Sequence, residues 1–305
     1  MSQLEISLLG RFTIRCEQRD VACFQAQKVQ ELFSYLVLHH DKAHHRDQLA
    51  DLLWGDLDVD DSKKYLRKAL WKLNSELKEV NCSLQQNLQV EPQWIFLSIG
   101  EGCWVDVLEF ERTYTSLRDI PSAKLSQQQF QKLKQAKDLY RGDLLSGWYW
   151  DWCILDRERF REMLLIMIHK LMGFSEANGD YEAGLEYGNE ILRYDRAHER
   201  THRRMMRLYD LSGNRSAALR QYERCQEALR EELDVEPSAR TKSLYQRIAR
   251  GEYGAIPNKP VTTANGDSLE ETLDQIKQML DQHIQQQEQL SQQIQVLEEA
   301  IRRRS

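Results

Sequence analysis

The chain has 305 residues, 41% of them hydrophobic and 30% charged, enough apolar content for two or three domains with cores of their own. Its net charge of −6 excludes a protein that holds nucleic acid by bulk charge, so any such contact needs a local basic patch. Six scattered cysteines, Cys16, Cys23, Cys82, Cys103, Cys153 and Cys225, form no CxxC pair and no zinc-ligand spacing, which argues against a disulfide framework and fits reduced thiols.

The first residues lack the basic lead and apolar run of a signal peptide, and no stretch nears the ~20 apolar residues of a membrane span. A cytoplasmic protein with no membrane partner is expected. Leu4, Ile6 and Leu8, then Phe12, Ile14 and Cys16, alternate with polar residues around Gly10-Arg11, the period-2 pattern of a half-buried hairpin, and residues 21–24 suit a third short strand. Val29, Leu32, Phe33, Leu36 and Val37 give a helical stripe over residues 26–40, and Leu49, Leu52 and Leu53 give another over 47–54.

Residues 61–77, DSKKYLRKALWKLNSEL, read as a third helix with two unlike faces. Leu66, Ala69, Leu70, Leu73 and Leu77 fall on one stripe, the spacing of a helix that buries one side. Lys64, Arg67, Lys68, Trp71 and Lys72 lie opposite, with Lys63 nearby. Asp60, Asp61 and Ser62 suit the first turn, where they can accept free N–H groups. Taken alone, the basic face fits solvent as well as it fits phosphate. After a polar break at 81–87, residues 94–99 and 103–105 flank Gly100-Glu101-Gly102, which predicts a hairpin with Glu101 at its tip. Strands, three helices and a hairpin describe a winged helix-turn-helix over residues 1–105, in which the third helix enters the major groove.

LLGRF at 8–12, DQLADLLWGD at 47–56 and LRKALWKLNSEL at 66–77 resemble the winged-helix signatures of the SARP-type bacterial transcriptional activators, and VDVLEFE at 105–111 resembles the phrase that closes that domain. The resemblance implies that Lys63, Lys64, Arg67, Lys68, Trp71 and Lys72 grip or read double-stranded promoter DNA. It also implies that the acidic turn with Asp56, Asp58 and Asp60 is a candidate contact for RNA polymerase. As a calcium loop that turn fails, because Asp61 stands at the glycine position and Arg67 at the closing glutamate position. His39, His40, His44 and His45 cluster at the end of the first helix, where histidine suits the helix dipole; no carboxylate or thiol joins them, and no metal is assigned.

From residue 106 to 250 the pattern is helical throughout, with stripes such as Phe130, Leu133, Ala136 and Leu139, then Phe160, Leu164, Ile168 and Leu171. GDYEAGL at 179–185 and GNRSAAL at 213–219 stand 34 residues apart, the tetratricopeptide period, so paired helices should stack. LYRGDLLSGW at 139–148, DRERFREMLL at 156–165 and the run from 199 to 248 resemble the second domain of the same family, the bacterial transcriptional activator domain. A proline common in the family after the aspartate is Arg196 here, which should leave a slightly less rigid turn. Trp148, Tyr149, Trp150 and Trp152 are expected to fill the seam between the domains rather than form a ligand platform. Arg203, Arg204 and Arg207 fit an ion-paired helix face, and no Gly-rich phosphate loop accompanies them.

Residues 251–267 have the glycine, proline and polar content of a linker. In 268–305, Leu269, Ile276, His283, Leu290 and Leu297 recur every seven residues, and Leu273, Leu280, Gln287, Ile294 and Ile301 recur four residues after each. That spacing predicts a coiled coil, and the polar layers at His283 and Gln287 would set its register. Leu269, Leu273, Ile276, Leu280, Leu290, Ile294, Leu297 and Ile301 are the expected oligomerisation residues of a homo-oligomer.

The expectation is therefore a mainly α protein with an N-terminal α+β winged helix, a tetratricopeptide-like repeat domain and a C-terminal coiled-coil helix. It would act as a sequence-specific regulator, an activator that binds promoter DNA and recruits RNA polymerase. The alternative is a repeat-based protein-interaction adaptor whose winged helix does not bind DNA. No nucleophile with an adjacent base, no catalytic carboxylate pair and no cofactor loop stands in the sequence, so neither an enzyme nor a cofactor is expected.

Overall fold

The computed structural model describes residues 4–16, 19–20, 24, 26–79, 87–100 and 102–252. The chain divides into two compact units, Met1–Gly254 and Ala255–Ser305, and the described residues all belong to the first. The coiled-coil residues Leu269 to Ile301 and nearly all of the linker lie outside the described residues.

Two strands, β1 (Leu4–Ser7) and β2 (Thr13–Cys16), form the expected hairpin, paired from Leu4↔Cys16 to Ser7↔Thr13. A third strand, β3 (Arg19–Asp20), follows on β2, earlier than the expected strand at 21–24. Phe24 is buried instead, stacked on Phe33 with ring centroids 4.9 Å apart. Helices α1 (Gln27–Leu38), α2 (Arg46–Trp54) and α3 (Val59–Glu79) come next, with the two-residue strand β4 (His44–His45) between the first two. Every stripe residue of α1 and α3 is buried. In α2 only Leu49 and Leu53 of the stripe are; Leu52 faces out.

The remaining strands are β5 (Leu88–Val90), β6 (Trp94–Leu97) and β7 (Cys103–Val105), and here the expected hairpin is overturned. β6 does not pair with β7. It turns back on β5, from Leu88↔Leu97 to Val90↔Ile95, and takes β4 on its other edge. β7 leaves that sheet and runs parallel to β1, from Leu4↔Cys103 to Ile6↔Val105. The wing is thus the β5–β6 hairpin, its turn at Glu91, Pro92 and Gln93. Gly100 and Gly102 belong to a crossover, and Glu101 lies outside the described residues. Parallel pairing always needs such a crossover, and local alternation cannot tell one from a hairpin.

The helical region comprises α4 (Asp106–Leu117), α5 (Gln127–Leu139), α6 (Trp152–Ala177), α7 (Tyr181–Tyr194), α8 (Glu199–Leu211), α9 (Arg215–Leu233) and α10 (Ala239–Arg250). The 34-residue repeat is visible in its turns. Gly179 and Gly213 both adopt positive φ, 75° and 80°, where only glycine sits without strain. The next residue in each case, Asp180 or Asn214, caps the following helix through its side-chain oxygen, which accepts the N–H of Ala183 or Ala217.

Signature segments from the two expected domains lie against each other. Leu8 and Leu9 donate their N–H groups to the Asp106 carboxylate at 2.8 to 2.9 Å. On their other side, Leu145 N–H donates to Leu8 O, Gly10 N–H to Asp143 O and Ser146 N–H to Gly10 O. Gly10 has φ 102°, a conformation that side-chain-bearing residues rarely adopt. The aromatic run fills the seam as expected at three places. Trp148 meets Phe12, Lys28 sits over the Trp150 ring, and Trp152 Nε1 donates to Glu31 at 2.9 Å. Tyr149 is the departure: it is 90% exposed, because the turn preceding α6 points it outward.

Candidate nucleic-acid interface

With Leu66, Ala69, Leu70, Leu73 and Leu77 buried, the 3.6-residue period of α3 leaves Lys64, Arg67, Lys68 and Trp71 in solvent. Trp71 is 73% exposed, an unusual place for an indole on a helix with a full core stripe. The six basic-face residues are not equivalent. Lys63 pairs with Asp47 at 3.0 Å, Lys72 with Glu76 at 3.7 Å, and Lys64 only reaches Asp61 at 4.0 Å. Glu76 is also tied to the core side by the Phe24 N–H at 3.0 Å, so it draws Lys72 inward. Among the described residues, no carboxylate lies within ion-pair distance of Arg67 or Lys68. Those two carry unneutralised charge.

The start of α3 differs from the expected capping. The helix begins at Val59, so Asp60, Asp61 and Ser62 all lie inside its first turn, where the two carboxylates still complement the dipole. Ser62 is buried, and its hydroxyl donates toward the carbonyls of Trp54, at 2.8 Å, and Asp58, at 3.0 Å. It therefore pins the α2–α3 turn. Asp56, Asp58 and Asp60 are exposed on that turn, beside Leu57 and Val59, which are exposed as well. The result is a mixed acidic and apolar knob.

The wing turn is fastened to the start of α2. Arg46 N–H donates to Gln93 O at 2.9 Å, and its guanidinium Nη1 to Glu91 O at 3.1 Å. His45 caps α2, its Nδ1 accepting the Asp47 N–H, and its ring meets Trp94 edge-on at 5.2 Å. Between α2, α3 and the wing turn lies a cleft of about 690 Å³, walled by Arg46, Asp47, Asp60, Lys63, Arg67 and Pro92 among others. Arg46, Pro92 and Gln93 were not among the expected site residues. Pro92 is the signal that marks this turn, since proline presets φ for a turn position.

His39 and His44 have structural partners. His39 Nε2 lies 3.3 Å from Asp156, and His44 Nε2 lies 3.0 Å from His39 O. Burial holds the His44 imidazole below its ordinary value; burial would raise the Asp156 carboxyl, but His39 and Arg159 together outweigh it and leave that carboxyl lowered. Arg196 pairs with Glu231 at 3.2 Å and Glu232 at 3.8 Å, so its turn is tied to the end of α9. No described helix is long and apolar enough to cross a membrane.

Residues 105–249 match the family model described as Bacterial transcriptional activator domain. Among solved structures, the chain is similar to Mycobacterium tuberculosis EmbR, solved in complex with a low affinity phosphopeptide. The TM-score is 0.66 and the identity 20%, over 92% of this chain and 72% of that one. At that identity the likeness speaks for the fold. No curated protein matches the sequence. The expected architecture, a winged helix followed by a helical repeat domain, stands, and so does the resemblance that rested on the second domain's signatures.

Proposed function

We propose that this chain, whose residues 105–249 match the bacterial transcriptional activator domain, is a SARP-type regulator whose working surface is the outer face of α3, and that this face holds double-stranded promoter DNA. The observation that carries this is the pair Arg67 and Lys68, charged, exposed and, among the described residues, without a carboxylate partner, on the helix that a winged helix-turn-helix offers to the major groove. Lys64 and Trp71 flank them. Lys63 is held beside the wing cleft by Asp47, where it can meet backbone phosphate. In a chain of net charge −6, a patch this small supplies most of the attraction, and two copies joined through the coiled-coil residues 268–305 would double it. The acidic and apolar knob with Asp56, Asp58 and Asp60 is the surface that would meet RNA polymerase, making the protein an activator of the cytoplasm.

Asp47 and Asp60 on the cleft wall favour a second reading, in which the winged helix has no DNA partner and the repeats act as an adaptor. A titration of duplex promoter DNA across salt separates the two. Binding should weaken with salt, and Arg67→Ala with Lys68→Ala should flatten the slope by about one unit for each phosphate left without its cation. Affinity and slope unchanged in the double variant would eliminate α3 as the DNA-holding surface.

A further inference from the structure

A second concentration of positive charge lies in the repeat domain, far in sequence from α3. Arg200, Arg203, Arg204 and Arg207 recur along one face of α8, and Arg240 and Arg247 along the facing side of α10. Together they wall a groove of about 630 Å³ with Leu244 at its base. Only part of this charge is used internally. Glu176 pairs with Arg204 at 2.8 Å and with Arg207 at 3.9 Å, and Glu199 pairs with Arg203 at 3.3 Å. Glu199 is itself fixed by the Ser238 N–H and hydroxyl and by Thr241, and these donors and Arg203 outweigh its burial and leave its carboxyl lowered. Guanidiniums therefore outnumber carboxylates along the groove. Among the described residues, Arg200 and Arg240 have no carboxylate within ion-pair distance, and the buried Nε of Arg207 has no acceptor.

The arrangement has two layers. Arg203, Arg204 and Arg207 are oriented from beneath by Glu176, Glu199, Thr241 and the His169 carbonyl, so they give up less freedom on meeting a further acceptor. Arg200 and Arg240 stand exposed at the rim and supply long-range attraction. An ion-paired helix face, the expectation for Arg203, Arg204 and Arg207, accounts for the inner layer and not for the outer one. A groove of about 630 Å³ holds a few residues of one extended chain and is far too small for a duplex. We propose that this groove binds an acidic peptide segment of a partner protein, whose carboxylates take the guanidinium forks of Arg200 and Arg240 while one apolar side chain meets Leu244. The site is independent of α3 and does not rest on DNA binding.

The test uses the full chain and a fluorescein-labelled oligoglutamate of about ten residues, followed by anisotropy. Arg200→Glu with Arg240→Glu should weaken binding by roughly tenfold or more, the equivalent of about one charge-assisted pair. Arg220→Glu with Arg224→Glu removes the same charge from exposed positions on α9 and should change affinity by less than about twofold. A milder pair, Arg200→Gln with Arg240→Gln, keeps the test open if the reversal disturbs folding, which a thermal melt reports. The proposal is overturned by an absence of saturable binding, by equal loss in the α8/α10 and α9 pairs, or by a groove variant that weakens duplex DNA as much as it weakens the peptide.

Discussion

Both oxygens of the Asp106 carboxylate accept the Leu8 N–H, at 2.8 and 2.9 Å, across 98 residues of sequence. Leu9 and Val107 add their N–H groups at 2.9 and 2.7 Å. Asp106 is 2% exposed, so water cannot replace it. Asp106→Ala strands three buried donors, each costing ~1–3 kcal/mol. A loss of at least ~3 kcal/mol, or roughly 6–12 °C in Tm, is expected by calorimetry. The same carboxyl sets a pH dependence: burial pushes it from 3.8 up to about 6, against the N–H donors and Arg141. Its folded value lies above its ordinary one, so its contribution is complete below pH ~4 and is lost as pH rises through 6, by about 3 kcal/mol. Asp106→Asn does not titrate. Its Tm deficit should be larger near pH ~4.5 than near ~7.5, and a constant deficit would count against this assignment.

His169 works in the opposite sense. Burial, then the charges of His198, Arg204 and Arg200, hold its imidazole down to about 4, and the His198 ring is 5.0 Å away. A lowered folded value means stability that is present above 6.5 and lost as pH falls toward 4. His169→Gln should therefore show a smaller drop in urea midpoint than the parent chain on acidification between those values. An equal drop in the two chains would place the acid sensitivity elsewhere.

On the proposed DNA face, Asp47 is the carboxylate that neutralises Lys63. Its ion pair with Lys63 is exposed on both sides, so breaking it costs at most ~1 kcal/mol of stability. Asp47→Asn frees Lys63 and removes a negative charge from the cleft wall. Duplex affinity at low salt should rise by about threefold, and Lys63→Ala should cost less affinity than Arg67→Ala, because only Arg67 starts unpaired. A loss of affinity in Asp47→Asn would mean that the carboxylate positions Lys63 rather than competes for it.

Close helix contact in the repeats depends on absent side chains. A Cβ at Gly188 would stand 2.7 Å from Met205 Cγ, and one at Gly184 2.9 Å from Leu208 Cδ1. Gly188→Val should destabilise by ~1–3 kcal/mol through overpacking, read as a lower denaturant midpoint. Gly179→Ala places its Cβ within 4 Å of no other atom, so any cost there comes from its positive φ of 75°.

The helices were legible because their information is local. Leu66, Ala69, Leu70, Leu73 and Leu77 repeat at helical spacing and all five are buried. The glycine turns at 179 and 213 were legible for the same reason. The wing was not, because strand partnership is a long-range matter: Leu88 and Val90 make only a three-residue strand, and nothing near residues 103–105 says that they will lie beside Leu4 to Ile6. Exposure of α3's basic residues follows from periodicity, whereas their division into paired Lys63 and unpaired Arg67 depends on Asp47, which arrives from another helix.

The meeting of Leu8 and Gly10 with Asp143 to Ser146 sets an order of events during synthesis. Once made, β1 gains β2 at once, but β7 and Asp106 come about 100 residues later and Leu144 roughly 40 later still. Until those segments have emerged, one edge of that sheet offers unpaired backbone groups to any passing strand, the exposure that favours aggregation in slow-closing topologies. A nascent chain that has emerged only to about residue 105 would therefore be a client for chaperones, while one with residues past 150 clear of the ribosome would already hold the segment after β1 closed.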